Sequence, residues 1–251
     1  MTYIYILLGL IILLLGWYII ALVWGKPWSV KGLYLRTFLK FALKGPELLT
    51  MLGILEKFGI HGHNAKLSDA SQAFEDKMFA FIKRDLGILR SYPRQKSTQL
   101  STDVMDFFLD DILRTERFRH HDYPLNQMFG IQSEMPNFMM TLHPVVSKLE
   151  GSNYVKRLSR FGVKFDQVME GLTIRESKGC IPPKFVIRRV LDEMTAFVAA
   201  PAKENPLYTV FKEKLEKLPK VGARDRESLL AAAEAAIAGT VYPAYQKIID
   251  Y

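Results

Sequence analysis

The hydrophobic pattern of the chain changes sharply after its first two dozen residues. From Tyr3 to Val23 no side chain is charged, over roughly 21 residues, and a helix needs about 20 apolar residues to cross a bilayer core. No Lys or Arg precedes this run and no small-residue cleavage site follows it, so it differs from a signal peptide. The pattern predicts an uncleaved transmembrane anchor over residues 1–25; the alternative is a buried core helix.

The next segment, residues 26–46, is basic and amphipathic, with five Lys or Arg residues and no acid. Arg36, Lys40 and Lys44 form one stripe. The apolar positions that recur at helical spacing are Val30, Leu33, Tyr34, Phe38, Phe41 and Ala42. A helix of this kind is typical of a juxtamembrane segment lying on the membrane surface. The alternative is an ordinary amphipathic helix that packs on the rest of the protein.

Residues 47–251 show the pattern of successive amphipathic helices, with apolar positions three and four residues apart. We predict helices over approximately 69–89, from 101 onward, 152–179, 182–201, from 205 onward, and 225–249. Gly179 is placed to end the third of these helices, and Pro243 should kink or break the last one. Alternating β patterns are nearly absent. The predicted fold class is therefore all-α: an N-terminal transmembrane helix followed by an antiparallel multi-helix domain.

Composition and charge narrow the possible partners. The formal net charge is +8, and subtracting the five positive charges of residues 26–46 leaves +3 for the remainder. The basic character therefore indicates a lipid bilayer as partner, and no nucleic acid. Counted near the predicted span, these charges place the C-terminal side in the cytoplasm. The single cysteine, Cys180, excludes an intramolecular disulfide and is compatible with either side of the membrane.

The residues alone show no recognisable active site. Two histidine pairs, His61 with His63 and His120 with His121, are the candidates for a metal site, and neither belongs to an HExxH motif. The alternative for each pair is a capping or hydrogen-bonded loop histidine. The sequence also lacks a G-x-S-x-G elbow, a G-x-G-x-x-G fingerprint and a P-loop. We predict no catalytic, cofactor-binding or metal-binding residue in this chain.

Several unusual strings occur in a fixed order along the chain. They are HGHNAKLSDAS, HDYPLNQMFGIQSEMPNFM, NYVKRLSRFGVKFDQVMEGLTIRESKGCIPPKFVI, ENPLYTVFKEKL and VYPAYQKI. Over roughly residues 45–251 they resemble the N-terminal portion of a large bacterial family, domain of unknown function 885. The resemblance implies a mostly helical, zinc-metallopeptidase-like protein that is often exported and anchored. The family's metal motif lies downstream of the Tyr-Pro-Ala-Tyr segment, so zinc is expected only in complete members.

The resemblance leads to three hypotheses about function. The first is a truncated or split product: the non-catalytic, substrate-framing part of an anchored metallopeptidase, whose partners are a peptide substrate and a missing C-terminal half. The second is a stand-alone anchored interaction or scaffold module, and the third is a protein that binds lipid through residues 30–44. The exported relatives favour an extracytoplasmic soluble part, against the charge count.

One irregular stretch, residues 119–144, combines three prolines with Met, Phe and paired histidines. We predict an extended, well-packed loop there, with a short helix near its end. Within it, Tyr123, Asn126 and Gln127 are predicted to line the cleft of a complete protein. The alternative is that Asn126 and Gln127 satisfy backbone groups in a buried loop.

Overall fold

A computed structural model describes residues 2–23 and 25–251, and every regular element within these ranges is a helix. The predicted all-α class is confirmed. Met1 and Trp24, both part of the predicted anchor, lie outside the described residues. A search of the described residues finds no helix with the length and apolar character that crossing a membrane requires. The structure therefore does not support the predicted transmembrane helix.

The α-helices are numbered in chain order. They are α1 (Thr2–Val23), α2 (Val30–Lys44), α3 (Pro46–Leu52), α4 (Gln72–Arg90), α5 (Gln99–Thr115), α6 (Ile131–Thr141), α7 (Lys148–Leu158), α8 (Phe161–Ser177), α9 (Lys184–Ala199), α10 (Pro206–Glu216), α11 (Ala223–Ala236) and α12 (Tyr242–Asp250). Short 3₁₀ helices span Leu55–Phe58, Gly62–Ala65 and Glu116–Phe118. A π-helical turn, Ile237–Val241, joins α11 to α12.

The chain divides into two compact units. The first unit consists of Met1–Leu43 and Glu75–Arg117, and the second consists of Lys44–Phe74 and Phe118–Tyr251. Each unit is therefore assembled from two separate stretches of the sequence.

The core of the first unit lies where α2 meets α4 and α5. Its buried apolar residues are Val30, Leu33, Ile82, Leu86, Leu89 and Leu109. Val30, Leu33 and Ala42 of the stripe that was predicted to lie on a membrane surface are buried, so that prediction is wrong for them, whereas Phe38 of the same stripe is exposed. Arg36, predicted to form one stripe with Lys40 and Lys44, is also buried, with Asp85 as its partner. The reason is that α2 is apolar on two faces, so spacing alone does not say which face packs.

The core of the second unit is built by α6 to α12. Tyr154 of α7 stacks on Phe211 of α10 with ring centroids 4.3 Å apart, and both rings are fully buried. Where a single helix over 152–179 was predicted, the structure has two, α7 and α8, separated at Ser159 and Arg160. No glycine or proline marks this break, so the pattern could not reveal it.

The other predicted helix ends of this unit agree with the structure. Gly179 follows α8 in the left-handed conformation, with φ of 72°, a conformation that glycine adopts without steric cost. Asn205 caps α10 through its side-chain oxygen, which accepts from the backbone N–H of Leu207. Pro243 lies in the first turn of α12, directly after the π-helical turn. Because proline lacks the N–H that would continue the ladder, this interruption is the predicted break of the last helix.

Candidate binding cleft

The second unit contains a cleft with a volume of about 240 Å³. It lies between the loop before α6, the end of α8 and the start of α9. Its lining residues are Tyr123, Pro124, Leu125, Leu172, Arg175, Glu176, Cys180, Ile181, Pro182, Ile187 and Tyr251. Most of this lining is apolar, so the cleft favours an apolar occupant.

The turn after α8 shapes one wall of the cleft. The backbone N–H of Cys180 donates to the carbonyl of Arg175 over 2.9 Å, and that of Gly179 donates to Glu176 over 2.9 Å. This pair of bonds closes the helix end and directs the chain away from the α8 axis. The turn places Ile181 at the mouth of the cleft, where more than half of its surface is exposed.

The charged groups at the rim are engaged with one another. The guanidinium of Arg175 donates through Nε to Asp122 Oδ1 over 3.1 Å and through Nη2 to the carbonyl of Arg119 over 3.2 Å. The hydroxyl of Tyr251 donates to Glu176 Oε2, and this hydrogen bond raises the pKa of the tyrosine. These contacts position the loop and the rim, which leaves the apolar interior to select the occupant.

The size of the cleft limits what it can bind. Pockets for drug-sized ligands usually occupy about 300–1,000 Å³, and this cleft is smaller, at about 240 Å³. Dry apolar cavities of about 150 Å³ hold a single benzene ring. The cleft therefore has room for one large apolar side chain or a comparable group.

The three residues predicted to line a cleft have different positions. Tyr123 lines this one. Asn126 shapes the loop: its Nδ2 donates to the carbonyl of Tyr123 over 2.9 Å, and its Oδ1 accepts from the backbone N–H of Phe129 over 2.7 Å. Gln127 is exposed. Their role in a complete protein stays a prediction.

The sequence reasoning did not identify Leu172, Ile181 and Ile187 as cleft residues. Helical spacing assigns Leu172 to an ordinary core stripe. The one available signal is the Gly179-to-Pro183 turn, because such a turn exposes apolar residues between two helices.

A buried polar network lies elsewhere in the second unit, between α7 and the 3₁₀ helix Gly62–Ala65. At its centre the carboxylate of Glu150, which is 1% exposed, lies 2.5 Å from His61 Nδ1. Asn64 Nδ2 donates to both carboxylate oxygens over 3.2 Å, and Asn153 Nδ2 donates to one over 3.3 Å. Burying a carboxylate is costly unless it is hydrogen-bonded, and these donors supply the bonds.

Arg157 of α7 extends this network and is fully buried. Its Nε donates to the carbonyl of Lys66 over 2.8 Å, and its Nη2 donates to the carbonyl of His63 and to Thr50 Oγ1, each over 2.9 Å. Nη1 lies 2.8 Å from His143 Nδ1. One guanidinium therefore holds the segment from residue 50 to residue 66 against α7.

The environment of His143 keeps its ring neutral. Desolvation by burial, and next the nearby positive charge of Arg157, lower the pKa of His143 to about 3. A neutral ring whose Nδ1 carries a lone pair can accept the bond from Arg157.

Each residue of the two histidine pairs has a hydrogen-bond or ring partner, and His63 lies within the 3₁₀ helix Gly62–Ala65. His63 Nε2 lies 2.9 Å from Glu56 Oε1, while His61 contacts Glu150. His120 Nε2 accepts from Arg119 Nε over 3.3 Å, and His121 meets the ring of Phe118 edge-on. Within the described ranges no group of three or more His, Cys, Asp or Glu residues is arranged to hold a metal ion.

Three comparisons place this geometry among known proteins. A family model described as "Bacterial protein of unknown function (DUF885)" matches residues 46–251. A solved structure, described as that of the "putative lipoprotein from Colwellia psychrerythraea", has a TM-score of 0.75 at 20% sequence identity, covering 87% of this chain and 39% of its own. At that identity the likeness shows the fold, and the chain spans about two fifths of that protein's length. The search of curated proteins finds no match.

Proposed function

We propose that this chain, which belongs to the bacterial family of unknown function DUF885, is a non-catalytic, substrate-framing part of a metallopeptidase-like protein. The observation that supports this function is the apolar cleft beside Tyr123 and Ile181. In this role the cleft accepts one apolar side chain of a peptide and so fixes the register of the peptide for chemistry performed by residues outside this chain.

The expected energy of such a contact is modest. Burying one large apolar side chain contributes about 1.5–3 kcal/mol, which is too little to hold a peptide by itself. The cleft therefore acts as one subsite of a longer binding surface, and binding at it has to be measured by a method that detects weak occupancy.

Cys180 lines the cleft and offers such a method. When the full chain is equilibrated with the symmetric disulfides of small thiols, the thiolate of Cys180 attacks the disulfide, forms a mixed disulfide and releases one equivalent of the small thiol. The fraction of mixed disulfide at Cys180 then reports occupancy of the cleft. We expect phenylmethanethiol to be captured several-fold more than 2-hydroxyethanethiol, measured by intact mass. Equal capture of the two thiols would contradict the proposal.

Two exposed residues supply a matched pair of variants for this assay. Ile181 lines the cleft, whereas Val163 is similarly exposed on α8 and lies outside the cleft lining. Ile181→Glu should abolish the preference for the aromatic thiol, and Val163→Glu should leave it unchanged. We also expect the purified chain to show no peptidase activity after zinc loading; activity would overturn the non-catalytic assignment.

A second candidate function is that of a stand-alone interaction module. It is favoured by Met128 and Phe129, which are strongly exposed in the loop next to the cleft. This candidate predicts that the chain alone is folded and monodisperse in detergent, and that Phe129→Ser weakens partner binding more than Ile181→Glu does.

For localisation we propose attachment to a membrane through the uncharged segment Tyr3–Val23, with the remainder on the extracytoplasmic side. Support comes from the length of that segment and from the description of the structural relative as a lipoprotein. Resistance to extraction at alkaline pH tests the attachment. Labelling of Cys180 in intact cells by a membrane-impermeant maleimide tests the side, and labelling only after cell lysis would refute it.

A further inference from the structure

The outward face of α2 in the first unit is apolar. Leu35, Phe38, Leu39 and Leu43 are 53%, 58%, 44% and 64% exposed, respectively. They are spaced three and four residues apart and therefore form one continuous stripe. Contiguous exposed apolar residues of this kind mark an interaction surface more often than isolated ones do. We call these four residues the α2 outer face.

The opposite side of α2 holds this face in a fixed orientation. Val30 and Leu33 are buried in the core of the first unit, and Arg36 Nη2 lies 2.6 Å from Asp85 Oδ1. Thr37 Oγ1 donates to the same carboxylate over 2.8 Å. The helix cannot rotate to hide the α2 outer face without breaking a buried ion pair.

The charges that α2 itself carries have one sign. Within the first unit, α2 carries Lys31, Arg36 and Lys40 and no acidic residue. Lys31 is exposed and lies one helical turn before Leu35 on the outward side. Arg36 is paired with Asp85, and Lys40 Nζ donates to the carbonyl of Val23 on the packed side of the helix. Lys31 is therefore the cation that α2 places beside these apolar residues, and a cation next to an apolar face is the combination that binds anionic lipid surfaces.

An exposed aromatic residue lies directly before α2. Trp28 is 57% exposed, and its ring meets that of Tyr18 edge-on with centroids 5.2 Å apart. Tryptophan and tyrosine favour the headgroup level of a bilayer, because one end of each ring system is apolar and the other is polar. The aromatic pair and the α2 outer face belong to the same unit.

A contrasting face occurs on α5 of the same unit. Val104 and Phe107 are also strongly exposed, and the exposed Asp111 lies one helical turn after Phe107. Three further aspartates of that helix, Asp103, Asp106 and Asp110, are ion-paired with Arg90, Arg94 and Arg114. An anionic surface would repel the carboxylate of Asp111. The first unit thus contains two exposed apolar faces, one with Lys31 and the other with Asp111 one helical turn away.

We propose that the α2 outer face docks on an anionic lipid surface, with its apolar side chains at the level of the acyl-chain boundary and Lys31 among the headgroup phosphates. The docking is independent of the cleft in the second unit. It requires that α2 lie along the surface, and it does not require that α2 span the bilayer.

The test uses the full chain reconstituted into vesicles of phosphatidylcholine, with or without phosphatidylglycerol. In a Cys180→Ser background, the environment-sensitive dye NBD is attached at Phe38→Cys or at the matched position Phe107→Cys. We expect nitroxide lipids to quench the dye at position 38 several-fold more than the dye at position 107, and only when phosphatidylglycerol is present. The emission at position 38 should also shift to the blue.

Charge variants complete the test. Lys31→Gln should lower the docked-to-undocked ratio about fivefold, because each basic residue near an anionic surface contributes roughly 1 kcal/mol. Lys96→Gln, at an exposed lysine of the same unit, should leave the ratio unchanged. Equal quenching at positions 38 and 107 would overturn the proposal, as would quenching that is independent of phosphatidylglycerol. A blue shift at position 38 without quenching would show that protein covers the face, and would also overturn it.

Discussion

Each of the two units buries an arginine, and they do so in different ways. In the first unit Arg36 and Asp85 form an ion pair whose side chains are 3% and 0% exposed, and Arg36 Nη1 also donates to the carbonyl of Gly25. In the second unit the hydrogen bonds that Arg157 donates go to two backbone carbonyls, a hydroxyl and a neutral imidazole ring. Burial accordingly lowers the pKa of Arg157 to about 10.

The comparison shows two solutions to the cost of desolvating a guanidinium. An ion pair concentrates most of the compensation in one partner, so the loss of that partner leaves a buried charge without its counter-ion. A set of neutral acceptors distributes the compensation, so each acceptor matters less and the whole segment that carries them is ordered at once. The burial of Arg36 depends mainly on one carboxylate. The burial of Arg157 depends on the position of the whole segment that carries its acceptors.

The largest effect is expected for Asp85→Ala. Removing one partner of a buried ion pair typically costs about 3–5 kcal/mol, and Arg36 would keep its charge without its carboxylate. Denaturant unfolding should show a lower free energy of unfolding, and amide hydrogen exchange should be faster in α2 and α4. The double variant Arg36→Met with Asp85→Leu should recover most of the loss. A double variant as unstable as the single one would show that the charge is not the cause.

The next largest effect is expected for Arg157→Met, at about 2–3 kcal/mol, because buried acceptors lose their donor. Amide exchange should accelerate in Gly62–Ala65 more than in α10. Arg157→Lys is the informative control, since it keeps the charge and loses the planar fork. We expect Arg157→Lys to retain less than half of the free energy of unfolding that Arg157→Met loses. Full recovery would mean that the charge, and not the set of bonds, stabilises this region.

A pH dependence should distinguish the second unit from the first. The pKa of His143 is lowered to about 3 in the folded chain, against roughly 6.5 when unfolded. Between these two pKa values the imidazole of His143 binds a proton in the unfolded chain and not in the folded chain. The contribution of neutral His143 to the free energy of unfolding is therefore complete above about pH 6.5, and it decreases by about 1.4 kcal/mol per pH unit as the pH falls below that value. The unfolding free energy of His143→Gln should change less steeply between about pH 6.5 and 5. Parallel curves for the two proteins would contradict this.

The smallest effect on stability is expected at the N-terminal ends of two helices, one with a side-chain cap and one without. Ser147 caps α7 by accepting from the N–H of Glu150, whereas Thr98 precedes α5 without a side-chain cap bond. Ser147→Ala should cost about 1 kcal/mol, and the isosteric Thr98→Val should cost less than half of that. Equal costs, measured by urea unfolding of the full chain, would show that the capping bond contributes little.

Much of the helical framework could be predicted because glycine, proline and asparagine mark its ends. Each of these markers acts locally. Gly179 adopts a left-handed backbone conformation, Asn205 supplies a capping oxygen, and Pro243 lacks the backbone N–H. The separation of α7 from α8 has no such marker. The packed side of α2 could not be predicted either, because two apolar faces satisfy the same spacing and the choice depends on α4 and α5.

The candidate site was predictable to a smaller degree. Tyr123 was identified from an unusual loop composition, and the structure places it in a cleft. Ile181 and Ile187 could not be assigned, because their neighbours across the cleft come from distant sequence. The partners of Arg157 illustrate the same limit: Thr50 lies 107 residues away, and no periodic pattern encodes a contact over that separation.

That separation also matters while the protein is being made. Thr50 emerges from the ribosome 107 residues before Arg157, which at about 5–20 residues per second corresponds to a delay of roughly 5–20 s. During this time the segment around His63 cannot acquire its final set of donors. The nascent chain therefore passes through an interval in which this segment is open to chaperones and proteases, and the interval ends when α7 is synthesised.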